Sequence, residues 1–123
     1  MTLLLVLAGG VIGAPLRYLT DLLIQSRHDS LFPWGTFTVN IAGSLVLGAV
    51  LGAASTGALP AAAVAFIGTG ICGALTTFST FGFETVRLLE EGSVGTAALN
   101  AVGSLAAGLV AGSAGWFLVT ALA

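Results

Sequence analysis

GTFTVNIAGSLVLGAVLGA, residues 35–53, runs for nineteen positions without a charge, about the length an α-helix needs to cross the hydrocarbon core of a bilayer. Sixty positions later the pattern returns without a gap: GTAALNAVGSLAAGLVAGS at 95–113 is identical at 9 of 19 positions. The identities pair Asn40 with Asn100, Gly43 with Gly103, Ser44 with Ser104 and Gly48 with Gly108. At the same offset GVIGA at 10–14 meets GICGA at 70–74, identical at 3 of 5. The repeating unit is therefore expected to be a two-helix hairpin, and two spans per unit make the copies parallel rather than inverted.

Around these segments the chain divides into apolar runs at about 3–25, 34–56, 60–90 and 94–122. They are separated by Ser26-Arg27-His28-Asp29-Ser30, by Ser55-Thr56-Gly57 ahead of Pro60, and by Glu90-Glu91-Gly92-Ser93, all loop signals. The composition agrees: 57% of the 123 residues are hydrophobic, 7% are charged, and the mean hydropathy is +1.10. Ordinary soluble domains carry about a quarter charged residues. The expected fold is a single all-α membrane domain of four spans, because a span must satisfy its backbone internally and the alternating ten-residue segments of a barrel are absent. Met1-Thr2 lacks the basic start of a signal peptide, so the first run is read as a retained span. Trp34 and Trp116 suit membrane interfaces.

Three arginines, no lysine and five carboxylates give a net charge of −2, which excludes a nucleic-acid surface. Cys72 is alone, so neither an internal disulfide nor a cysteine metal cluster is expected. Arg27 and Arg87 fall toward one side of the membrane and no Lys or Arg toward the other. That bias would place the loops after spans one and three in the cytoplasm. It is small enough for the chain to insert both ways, letting two copies pair head to tail.

Glycines four apart, at 9 and 13, 48 and 52, and 108 and 112, allow close helix approach within or between subunits. Gly68-Thr69-Gly70-Ile71-Cys72-Gly73 fits a dinucleotide fingerprint by spacing, but it lies inside a span with no preceding strand. Asn40 with Ser44 and Asn100 with Ser104 form matching i, i+4 polar stripes, which either tie helices together or line a polar path. In Thr76-Thr77-Phe78-Ser79-Thr80-Phe81, four hydroxyls and two phenylalanines stand midway along the third run. Hydroxyl and β-branched side chains compete with helical hydrogen bonding, so a helix break is expected near 73–79. Such a break exposes carbonyls for a cation and amides or hydroxyls for an anion. Phe78 and Phe81 would add the positive edges of their rings. Arg17 with Asp21 and Glu84 with Arg87 stand at local ion-pair spacing. His28 reads as solvated.

GGVIGAPLRY at 9–18, GTFTVNIAGS at 35–44 and GICGALTTFSTFGFE at 70–84 together resemble the signature segments of the Fluc/CrcB fluoride channels, along essentially the whole chain. The resemblance implies a dual-topology antiparallel homodimer in the plasma membrane, with two fluoride pores and a structural sodium ion at the dimer centre. It implies pore-lining roles for Phe78 and Phe81, with Asn40, Ser79, Thr80 and Ser104 along a polar track. Asn100 stands where some relatives carry tyrosine. The carbonyls of Gly73 and Thr76 would hold sodium, and Arg17 and Glu84 would lie near the entrances. A sister chain is an alternative dimer partner. The spans hold no histidine and no nucleophile–base constellation, so no enzyme is expected. Two other readings remain: a small dual-topology multidrug transporter, for which the first span offers only Asp21, and a structural membrane subunit, which would conduct nothing.

Overall fold

In a computed structural model, which describes residues 1–122, the chain forms four long apolar helical spans and no strand among those residues. The elements are α1 (Thr2–Arg27), α2 (Trp34–Ser55), α3 (61–75), α4 (Phe78–Glu90) and α5 (Val94–Leu122). α3 and α4 are two pieces of one span, interrupted at Thr76 and Thr77. Each span is long enough and apolar enough to cross a bilayer. Most large apolar side chains face outward, among them Val11, Val102 and Leu109, the pattern of a protein whose solvent is lipid.

The turns follow from local chemistry. Pro33 and Pro60 precede α2 and α3 as their N-caps, positions that need no further N–H donor from the chain. The second and third connections use the same C-terminal device. Gly57 and Gly92 adopt φ of +80° and +82°. The Gly57 and Ala58 N–H groups donate back to Ala54 and Ala53, and those of Gly92 and Ser93 to Leu89 and Leu88. This is the Schellman arrangement, which favours glycine at the left-handed position.

Close approaches at several glycines set the packing within the chain, Gly48 and Gly9 among them. A Cβ on Gly48 of α2 would collide with the Gly112 carbonyl oxygen of α5, so the two backbones touch as they run side by side. A Cβ on Gly9 of α1 would meet the Phe66 carbonyl oxygen and, at 2.7 Å, the Cα of Gly70. Close approach of this kind replaces the hydrophobic driving force that helices lack in lipid. Opposite Gly9, the segment Val64–Cys72 is wound as a π-helix, wider than the ordinary helix expected there. Such wide turns are rare in helices and concentrate at functional sites.

Candidate functional site

The interruption of the third span is held from outside the span. Thr76 and Thr77 are extended, with φ/ψ of −79°/156° and −147°/123°. Thr76 still belongs to the helix before it: its N–H and its Oγ1 both donate to the Cys72 carbonyl, at 3.0 and 2.8 Å. Thr77 does not. Its N–H donates to Asn40 Oδ1 at 2.7 Å and its carbonyl accepts from Asn40 Nδ2 at 3.0 Å. The Asn40 side-chain amide on α2 thus satisfies both backbone groups of Thr77, as a neighbouring strand would. Thr77 Oγ1 accepts from the Thr80 N–H at 3.2 Å and so caps α4. Because the Thr77 N–H is turned to Asn40, the Gly73 carbonyl four residues earlier loses its helical donor. Gly73 is exposed, with open space where a Cβ would stand.

Beside the break lies an open-sided groove of about 360 Å³ between α2, α4 and α5. Asn40 and Ser44 line one wall, Ser104 another, and Thr76, Thr77, Phe78 and Phe81 a third. The Phe78 and Phe81 rings are 5.9 Å apart and tilted by 48°. Phe78 is 80% exposed, so within one chain its ring forms the rim rather than an enclosed wall.

The remaining sequence-picked residues are distributed around this groove. Ser79 is exposed, 3.5 Å from Thr77 Oγ1. Thr80 and Arg17 line a separate cavity of about 200 Å³, with Tyr18, Asp21, Thr36, Val39 and Thr77. Glu84 lines a third, of about 260 Å³, with Arg87 and Gln25. The Oε1 of Glu84 and the Oδ1 of Asp21 are shielded from solvent without a hydrogen-bond partner among the described residues. Neither local ion pair read from the spacing forms among those residues. Arg87 instead pairs with Glu91, at 3.1 Å on the surface. His28 is exposed, and its Nδ1 lies 2.9 Å from the Ile24 carbonyl oxygen.

Asn100 is buried, 1% exposed, behind the groove wall. Ser104 Oγ donates to its Oδ1 at 3.2 Å, and its Nδ2 donates to Thr85 Oγ1 at 2.8 Å. Thr85 Oγ1 donates to the Phe81 carbonyl at 2.8 Å. The sequence reading missed Thr85 and the capping role of Thr77, and it missed Thr36, which is 3% exposed. The signal for Thr85 was modest, a hydroxyl four residues after Phe81 on the same helix face.

Residues 4–116 match the family model described as CrcB-like protein, Camphor Resistance (CrcB). Among curated relatives, a Streptomyces avermitilis protein named fluoride-specific ion channel FluC 1 is 57% identical over 118 residues, covering 95% of each chain. A Frankia casuarinae protein of the same name is 54% identical over 127 aligned residues, covering 99% of this chain and 98% of its own. A fluoride-specific ion channel FluC of Thermus thermophilus is 43% identical over 119 residues, covering 97% and 95%.

Proposed function

The chain belongs to the CrcB family, and from that premise we propose that it is a fluoride-selective channel of the plasma membrane, passing fluoride passively out of the cytoplasm. The observation that carries the reading is the groove, where the rings of Phe78 and Phe81 and the side chains of Asn40 and Ser104 stand together beside a broken helix. Ring edges carry partial positive charge. With hydroxyl and amide donors they can replace the water around a small anion, while a narrow path fits a larger halide poorly. Ser79, Thr80, Arg17 and Glu84 would then belong to the approaches rather than to the groove, and no chemical step is involved.

The pore is proposed to be completed by a second, antiparallel copy. The groove is open on one side and Phe78 is 80% exposed there, so a partner surface is what would enclose the path. The two-hairpin repeat at an offset of sixty residues is parallel and supplies no inverted symmetry within one chain. A small charge bias allows insertion in both orientations. Two antiparallel chains would carry two pores.

A structural sodium ion at the dimer centre fits the residues at the break. The Gly73 carbonyl is freed when Asn40 takes the Thr77 N–H, and Gly73 is an exposed residue. Carbonyl oxygens are hard ligands of the kind that replace an alkali cation's water. Gly73 and Thr76 would supply them from each chain, and the ion would add a fixed positive charge that holds the two breaks together.

The test is fluoride release from liposomes containing the purified protein, read with a fluoride electrode beside chloride-loaded and protein-free liposomes. Rapid fluoride release with chloride retained is the expected result. Fluoride retention equal to that of protein-free liposomes would sink the channel reading.

A further inference from the structure

Two groove-lining residues, Ser104 on α5 and Phe81 on α4, are joined behind the wall by a chain of three hydrogen bonds. It runs from Ser104 Oγ to Asn100 Oδ1, from Asn100 Nδ2 to Thr85 Oγ1, and from Thr85 Oγ1 to the Phe81 carbonyl oxygen, at 3.2, 2.8 and 2.8 Å. Neither Asn100 nor Thr85 lines the groove.

The direction of the chain matters for an anion. A hydroxyl has one hydrogen, a carboxamide has its donor and acceptor at opposite corners, and a main-chain carbonyl only accepts. As the bonds stand, the Ser104 hydrogen is committed to Asn100, and Ser104 offers the groove only lone pairs, which repel an anion. The same heavy atoms support a second arrangement. With the Asn100 amide turned over, Nδ2 donates to Ser104 Oγ, Thr85 Oγ1 donates to Asn100 Oδ1 in place of the Phe81 carbonyl, and the Ser104 hydrogen is released to the groove. The first arrangement makes three internal bonds. The second makes two and offers one to whatever stands in the groove, so an anion accepting from Ser104 restores the count. Thr85 permits the exchange because its hydroxyl accepts from the amide in one arrangement and donates to it in the other.

We propose that Thr85, acting through Asn100, is a positioning residue of the anion path: it sets whether the Ser104 hydroxyl points inward or toward a passing anion. The inference rests on the fluoride-channel reading above.

The experiment measures fluoride efflux from liposomes for the wild type, Thr85→Val, Thr85→Ser, Ser104→Ala and the Thr85→Val/Ser104→Ala double variant. Rate per conducting vesicle is scored separately from the fraction of vesicles that conduct. Thr85→Val is expected to slow the rate per conducting vesicle about tenfold, the scale of one hydrogen bond to a charged group. Thr85→Ser, which keeps the hydroxyl, should stay near the wild-type rate. The double variant should be no slower than the slower single one, because both changes interrupt one chain. Should Thr85→Val not reconstitute, Thr85→Cys, with its weak donor and acceptor, takes its place under the same expectation. A wild-type rate in that variant, a loss confined to the fraction of conducting vesicles, or effects that multiply in the double variant each overturn the proposal. If wild-type vesicles themselves hold their fluoride, the channel reading has failed and this inference falls with it; wild-type flux with an indifferent Thr85 variant sinks the inference alone.

Discussion

Asn40 is the residue on which the site turns, because one planar amide holds both backbone groups of Thr77. Asn40→Asp keeps the shape but, when ionised, removes the donor. It leaves the Thr77 carbonyl unpartnered in a low-dielectric setting, at a cost of about 1–3 kcal/mol, and brings a negative charge to the groove. We expect at least a tenfold loss of fluoride flux together with a lower melting temperature in detergent; wild-type flux would show that the amide's donor is dispensable. Phe81→Ile tests the ring edge, since it preserves apolar bulk and deletes the quadrupole. Fluoride flux should fall and discrimination against chloride should weaken, whereas unchanged flux and selectivity would end the aromatic account. The sequence pointed to Asn40, Phe78, Phe81 and Ser104, which the groove brings together, but it could not assign them separate tasks. In TTFSTF every hydroxyl is a plausible cap. Thr77 takes the task because a side chain thirty-seven residues away draws its N–H out of the helix. That is tertiary information, invisible to local spacing.

At the scale of elements, the α2–α5 contact shows how far small residues govern this fold. Gly48 has no room for a methyl group, since its Cβ would strike the Gly112 carbonyl of α5. Gly48→Ala should push the helices apart and cost about 1–3 kcal/mol, read as a lower melting temperature in detergent. Gly95, near the start of α5, has nothing within 4 Å of the place a methyl group would occupy. Gly95→Ala should leave the melting temperature unchanged or raise it slightly, by up to about 1 kcal/mol of helix propensity. Equal effects at the two positions would refute close backbone approach as the organising contact. The spans themselves were readable, because about twenty apolar residues leave a chain in lipid few alternatives to a helix. The break was readable from the run of hydroxyls and Phe. The π-helical stretch Val64–Cys72 was not: its four β-branched residues and two glycines weaken a helix without specifying a wide one, and its distinguishing feature is contact with Gly9 and Gly13 of another span.

At the scale of the whole molecule, orientation rests on very little charge. Arg27 and Arg87 are the basic residues of the two loop regions on one side, and the loop around Gly57 has none. Orientation follows the Lys/Arg bias of short loops, so a few added lysines should decide it. Asp29→Lys with Glu91→Lys strengthens the existing bias at two exposed loop positions. The second change also removes the Arg87–Glu91 pair, which is solvent-exposed and of little energetic weight. Thr56→Lys with Ala58→Lys builds the opposite bias at exposed positions of the other loop. If the conducting unit is an antiparallel pair, each doubly substituted chain alone inserts one way, finds no inverted partner and releases little fluoride. Co-expressed, the two supply one orientation each and flux returns. All four substituted positions are exposed, so loss and recovery are expected to report pairing rather than folding. Full flux from the Asp29→Lys/Glu91→Lys chain on its own would mean that a single orientation suffices, and the antiparallel pore would have to be abandoned for one completed by a parallel neighbour.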